Sequence, residues 1–242
     1  MGGQSVGQSS FLIMLIGAAC LTVPYEALAE AADDPFLTMI IVDQLEYRDA
    51  DSGSLQTWDA QGWLGRDFRK LWIKTDGERT GGGTEEGELQ FLYSKTVARY
   101  WDFQMGVRQD FKPSPSRTWA AIGFQGLAPY FFEIDTAFFI GESGRTALRL
   151  NANYELLFTQ RLILTPDVEV NFYGKNDREI GIGSGLSDLE AGLRLRYEIR
   201  REFAPYVGVN WSKLFGGTAD FATGAGQDSS DFQLTIGLRA WF

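Results

Sequence analysis

The chain has 242 residues, enough for one large domain or two small ones, with 22 Lys and Arg against 32 Asp and Glu, a formal charge of −10, one cysteine and no histidine. The acidic balance makes nucleic acid a poor partner, and the missing histidine excludes Ser-His-Asp and Cys-His hydrolysis and every His-ligated metal site. A mean hydropathy of −0.16, with no long apolar run beyond the N-terminus, argues against helical membrane spans. It does not argue against a β-barrel, whose strands turn every second residue to the lumen.

Residues 1–29 read as an export signal. Phe11 to Leu21 is apolar, and Ala27-Leu-Ala29 is a small-x-small cleavage site. The first ten residues lack Lys and Arg, which departs from the usual positive start and leaves the start codon unassigned. Gly17-Ala-Ala-Cys20 also admits a lipoprotein reading, although the signal-like sequence continues past Cys20 to Ala29. Cleavage after Ala29 would remove Cys20, and with it the only thiol, and Glu26, the only charge in that stretch. A short link over 30–36 follows.

From 37 to 242 the pattern predicts a transmembrane antiparallel β-barrel of about twelve strands, placed in the outer membrane. The segments are roughly 37–47, 56–65, 67–76, 87–98, 100–111, 117–128, 131–141, 145–157, 161–174, 188–200, 205–214 and 232–242. Short turns near Gly65, Ala98, Ala128, Thr159 and Arg201 alternate with connections that are often longer, chiefly 76–86, 174–187 and 215–231. Short turns on one side and longer loops on the other is the outer-membrane pattern. Two connections on the long side, 112–116 and 142–144, are short exceptions.

Along each segment apolar and polar residues alternate. Trp101, Phe103, Met105 and Val107 alternate with Asp102, Gln104, Gly106 and Arg108; Leu189, Ala191, Leu193 and Leu195 alternate with Glu190, Gly192, Arg194 and Arg196. The apolar sets are assigned to lipid and the polar sets to the lumen. A slip by one residue would put Arg194 and Arg196 into hydrocarbon, at about 2–4 kcal/mol each near the midplane. Pro166 lacks a ladder donor and belongs near a strand end or bulge. Tyr47, Trp58, Trp63, Tyr100, Trp101, Tyr130, Phe131, Tyr173, Tyr206, Trp211, Trp241 and Phe242 lie near strand ends and suit interfacial girdles.

The last segment, Phe232 to Phe242, is apolar at Phe232, Leu234, Ile236, Leu238, Ala240 and Phe242 and ends on an aromatic residue. A closing barrel strand needs that form, and it is expected to be read by barrel-assembly machinery; the alternative is the last strand of a soluble sandwich.

The predicted lumen set has mixed sign. It includes Asp59, Asp102, Glu133, Asp135, Glu155, Asp167, Glu169, Glu190 and Glu198 with Arg108, Arg149, Arg194, Arg196 and Arg239. In a narrow barrel such charges can pair across the bore and fill it. They can also form a polar path or a cation site. On that reading Asp102, Glu133, Asp135 and Glu169 are the candidate metal ligands, all oxygen donors. Of four Met, only Met39 and Met105 lie beyond the signal.

Several segments in order resemble the copper resistance protein B family. They are Trp58-Asp-Ala-Gln-Gly-Trp-Leu-Gly-Arg-Asp67 with Lys70-Leu-Trp72, Tyr100-Trp-Asp-Phe-Gln-Met-Gly-Val-Arg-Gln-Asp110, Gly126-Leu-Ala-Pro-Tyr130, Leu157-Phe-Thr-Gln-Arg-Leu-Ile-Leu-Thr-Pro166 and Phe203-Ala-Pro-Tyr-Val-Gly-Val209. The resemblance spans about 36–242. It implies a non-enzymatic outer-membrane barrel acting in copper tolerance beside periplasmic copper proteins, with a multicopper oxidase as an expected partner. Members commonly carry a Met- and His-rich segment before the barrel; here that place holds Glu30–Pro35, so copper would be held weakly, by oxygen donors. The competing expectation is a small-solute or structural barrel with no metal role. A twelve-stranded outer-membrane phospholipase, the enzyme alternative, needs a histidine base.

Overall fold

The computed structural model describes residues 34–50 and 53–242. The expected signal at 1–29, and the link up to Asp33, lie outside the described residues. Apolar and polar residues alternate along most segments, a period that suits only a sheet with one apolar and one polar face, and the chain forms a closed antiparallel barrel of twelve strand positions. The strands are β1 (Leu37–Ala50), β2 (Gly53–Arg66), β3 (Arg69–Thr80), β4 (Gly83–Ala98), β5 (Trp101–Lys112), β6 (Arg117–Leu127), β7 (Glu133–Gly141), β8 (Thr146–Asn153), the two-residue β9 (Leu156–Leu157), β10 (Leu162–Tyr173), β11 (Gly185–Tyr197), β12 (Phe203–Leu214) and β13 (Ser230–Trp241). β8 and β9 share one position, since both pair with β10. β13 pairs with β1 from Ile41↔Trp241 to Asp49↔Leu234, and this seam closes the ring.

The dyad period sets the faces. On β13 Leu234 and Ile236 are each 59% exposed on the outer face, whereas Gln233 and Thr235 between them are 6% and 5% exposed. Arg194 and Arg196 are buried inside, as the insertion penalty requires. The outer face is the lipid face, and the protein resides in the outer membrane. Pro166 sits within β10, opposite the break between β8 and β9, and its own carbonyl accepts from Tyr154 N at 3.1 Å. The irregularity its missing N–H demands falls on the partner strand rather than at its own strand end.

Two expectations about the loops change. Segment 76–86 is not a loop: β3 and β4 run on as a hairpin to Thr80↔Gly83, with the turn made by the Gly-rich stretch and Gly83 at φ +135. The glycines supply the tight turn, and Glu78, Thr80, Thr84 and Glu86 around it remain paired, with Glu85 as the extra residue of a bulge. Segment 215–231 contains a helix, α1 (Gly216–Gly224), which packs against β11.

A bulge at Asp43 and Gln44 shifts the register of β1 against both β2 and β13. It turns both side chains to the bore, so the inward parity passes from Ile41 and Asp43 to Gln44, Glu46 and Arg48.

Candidate functional site

The inner face of the barrel carries its polar chemistry, and strand register arranges it in rows. One row runs across β2 to β6 as Asp59↔Asp76, Asp76↔Glu88, Glu88↔Asp110 and Asp110↔Arg117. Above it Glu78 opposes Glu86, and on β10 and β11 Glu169 opposes Glu190. Like charges directly opposed across strands cost stability. The bore therefore carries carboxylates at a density that folding alone would disfavour.

Arginines and lysines reach across the ring to meet part of this charge. Glu46 on β1 accepts Arg48 Nε at 2.7 Å and Arg194 Nε, from β11, at 2.5 Å; Arg48 continues to Glu190 at 2.9 Å and Arg194 to Asp167. Glu88 on β4 accepts Arg108 at 2.7 Å and Arg149, from β8, at 3.0 Å; Arg108 also binds Asp110 at 2.6 Å and Arg149 binds Glu169 at 3.3 Å. Toward the turn end Glu155 accepts Arg196 at 2.6 Å and Arg239 at 3.5 Å, and Arg239 reaches Asp43 at 3.1 Å. Four of these pairs, Glu46–Arg194, Arg48–Glu190, Glu88–Arg149 and Glu155–Arg239, join positions three or four apart around the ring and so cross the bore, while the others lie within two positions of each other along the wall. Among the described residues, Asp59, Glu78, Glu86, Glu133 and Asp188 have no Lys or Arg within ion-pair distance.

A dry half accompanies the charged one. Trp72, Leu92, Trp119, Ala121, Phe139 and Ala147 form a buried cluster inside the barrel, with Trp63 and Tyr173 packed against it. Cations cap it: Arg108 lies 4.6 Å and Arg149 5.9 Å from the Phe139 ring centre, and Lys74 lies 5.6 Å from Trp72. Such contacts let guanidinium and ammonium groups rest on an apolar floor.

The four candidate ligands are spread along the wall. Asp102, Asp135 and Glu169 share one register row, but Gln125 and Asn151 stand between them. At about 4.8 Å per strand, each acid is about 10 Å from the next along the wall. Asp102 accepts Lys70 at 3.3 Å and Thr96 at 2.6 Å; Asp135 accepts Lys74 at 2.6 Å; Glu169 accepts Arg149 at 3.3 Å and Asn171 at 3.0 Å. Glu133 lies two residues from Asp135 toward the turn end, opposite Asn153. Among the described residues no group of three or more His, Cys, Asp or Glu side chains is placed to hold a metal.

Four aromatics expected in the girdles carry inward parity instead, Trp241 among them through its pairing with Ile41. Trp63 shares the parity of Asp59 and Gln61 and lies 6.2 Å from Trp72. Tyr173 shares the parity of Glu169 and Asn171 and joins the dry cluster. Tyr206 is 5% exposed and lies over Gly237, where a Cβ would come within 2.7 Å of its ring. Reasoning from the sequence missed Glu46, Arg48, Lys70, Lys74, Glu88 and Asp110 as bore residues. Parity with Gln90 and Ser94 would have found Glu88; the bulge hid Glu46 and Arg48.

A family model described as copper resistance protein B precursor (CopB) matches residues 36–242. A copper resistance protein B homolog of Pseudomonas syringae pv. tomato is 50% identical over 210 residues, which cover 87% of this chain and 71% of the relative. Copper resistance protein B of Escherichia coli is 48% identical over 204 residues, 84% of this chain and 69% of that one. Among solved structures the NanC porin aligns at TM-score 0.54 and 11% identity over 84% of this chain and 99% of the porin, a likeness of fold.

Proposed function

The chain belongs to the copper resistance protein B family, and from that premise we propose that it serves the outer membrane as a narrow, non-enzymatic, porin-like barrel whose bore prefers small cations. The observation that carries this reading is the excess of carboxylates over bases inside a bore crossed by ion pairs. Opposed acids such as Asp59 and Asp76, or Glu78 and Glu86, create a negative potential that concentrates cations and repels anions. The crossing pairs leave little cross-section for larger solutes.

Detergent-purified barrel in a planar bilayer under a KCl gradient tests it. Small unitary currents with a reversal potential favouring K⁺ are expected. Large currents, or a preference for Cl⁻, would sink the proposal.

Family membership favours a second, narrower reading in which Cu(II) is among the cations handled and a periplasmic multicopper oxidase works alongside. Oxygen donors suit Cu(II) held weakly and suit Cu(I) poorly, because Cu(I) selects thiolate and thioether ligands. Residues 34–242 contain no Cys or His and only two Met. Met105 is exposed on the lipid face, which leaves Met39 alone. Titration of the barrel with Cu(I) against a competing chelator is expected to show no tight site. Sub-micromolar binding that survives removal of the Asp102, Glu133, Asp135 and Glu169 carboxylates would overturn this account of the ligands. Copper sensitivity of a deletion strain, rescued by the intact chain, tests the narrower reading itself.

A further inference from the structure

The two long loop-end connections are tied together. Gly183 N donates to Thr218 Oγ1 of α1 at 2.9 Å, and the hydroxyls of Ser187 and Thr218 lie 2.9 Å apart. Gly183 and Gly217 approach so closely that a Cβ on Gly183 would meet Gly217 C at 2.5 Å. From this anchor the segment between β10 and β11 turns back on itself through Asp177 N to Ile182 O at 2.8 Å and Ile182 N to Asp177 O at 3.0 Å. It then reaches past the β7–β8 connection to β6.

There Arg117 meets Asp177 with two parallel bonds, Nε to Oδ2 at 3.0 Å and Nη2 to Oδ1 at 3.2 Å. Arg145, just before β8, adds Nε to Asp177 Oδ2 at 2.8 Å. Glu179 takes a further bond from Arg117 at 2.6 Å, and Lys175 Nζ reaches Ser143 O at 3.3 Å. Ile180 and Ile182 line a small space shared with Trp119 and Tyr173, the top of the dry cluster. The bidentate arginine–carboxylate fork is the strongest geometry available to such a pair, and here one carboxylate is held from two elements of the wall.

We infer that residues 174–184, anchored on α1, form a strap across the loop-end mouth of the barrel, latched to the wall by Asp177 between Arg117 and Arg145. Any effect on current rests on the conducting function proposed above; the latch does not. Burial pushes the Asp177 carboxyl up. The Arg117 hydrogen bond, the Arg117 and Arg145 charges and a backbone bond from Glu179 outweigh it and hold the group below the usual carboxylate range. The latch is thus fully set above about pH 4 and is lost only as pH falls through the lowered value.

Trypsin reads the strap directly, because Lys175 and Arg178 lie within it. In folded, heat-modifiable barrel at pH 8, Asp177→Asn and Arg117→Gln are each expected to raise cleavage after these residues by about tenfold, the fold-change that 1.4 kcal/mol of lost latch energy gives. Bilayer currents of the same samples should rise alongside. Faster cleavage with no current in any sample supports the strap and removes the conducting function. Unchanged cleavage in both folded variants overturns the strap, whatever the currents do.

Discussion

Replacing Glu46 with Ala should destabilise the barrel more than any removal of a bore acid near the turn end. The Glu46 side chain is fully buried and accepts from both Arg48 and Arg194. Its loss leaves two guanidinium groups facing each other, with Glu190 and Asp167 as their remaining carboxylate partners beside the amides of Gln44 and Gln233. Breaking a buried ion pair from one side costs about 3–5 kcal/mol, because the stranded charge stays out of water. For a chain of this length that is on the order of 10 °C in midpoint. Thermal loss of the compact form on gels provides the measurement. Glu198→Ala, whose partner Arg196 is 3.8 Å away, serves as the comparison and should cost less than about 1 kcal/mol. In an Arg194→Met background the Glu46 substitution should cost less than alone, since the pair is coupled. Equal losses for Glu46→Ala and Glu198→Ala would mean that the crossing pairs contribute no more than a single long pair at the turn end.

The strand pattern was legible because hydrocarbon makes parity errors expensive. Arg194 and Arg196 could point only one way, and the strand count followed from segments of that kind. Parity was equally available for Trp63 and Tyr206, but their position near strand ends suggested a girdle, although Gln61, two places from Trp63, and Asn210, four from Tyr206, share their faces. The bulge at Asp43 and Gln44 defeats parity altogether: alternation carried on from Ile41 and Asp43 would send Glu46 and Arg48 into lipid. Which charges meet was not legible. Lys74 finds Asp135 from four strands away, and that depends on the stagger of the closed ring, which sequence does not express. Helix α1 was missed for a related reason. Its sequence, Gly-Gly-Thr-Ala-Asp-Phe-Ala-Thr-Gly, carries glycines unfavourable to helix, and tertiary bonds through Thr218 hold it in place. Of the candidate ligands only Glu133 and Asp135 are close in sequence; Asp102, Asp135 and Glu169 fall on one row but are separated by the amides of Gln125 and Asn151, because that row runs across strands.

Deleting Phe242, or replacing Leu238 with Asp, should block assembly into the outer membrane. Phe242 is 76% exposed, yet its backbone pairs with Ile40 in both directions, at 2.8 and 3.0 Å. It therefore fixes the last rung of the seam while offering its ring outward. Leu238 lies on the lipid face between Leu45 of β1 and Pro205 of β12, so Asp there places a carboxylate against lipid on the strand that closes the ring. The direct cost is below the roughly 2–4 kcal/mol of a midplane Arg or Lys. It acts, however, on the seam, which has no covalent turn to hold it in register. The two changes separate two roles for β13. Loss of Phe242 removes the terminal aromatic expected to be read by assembly machinery and leaves the lipid face otherwise intact, while Leu238→Asp keeps that terminus and spoils the face. Outer-membrane fractions assayed for heat-modifiable barrel should show little of either variant. In detergent refolding without machinery, the Phe242 deletion should recover more than Leu238→Asp. Wild-type levels of both in the membrane would show that β13 closes the ring without depending on either feature.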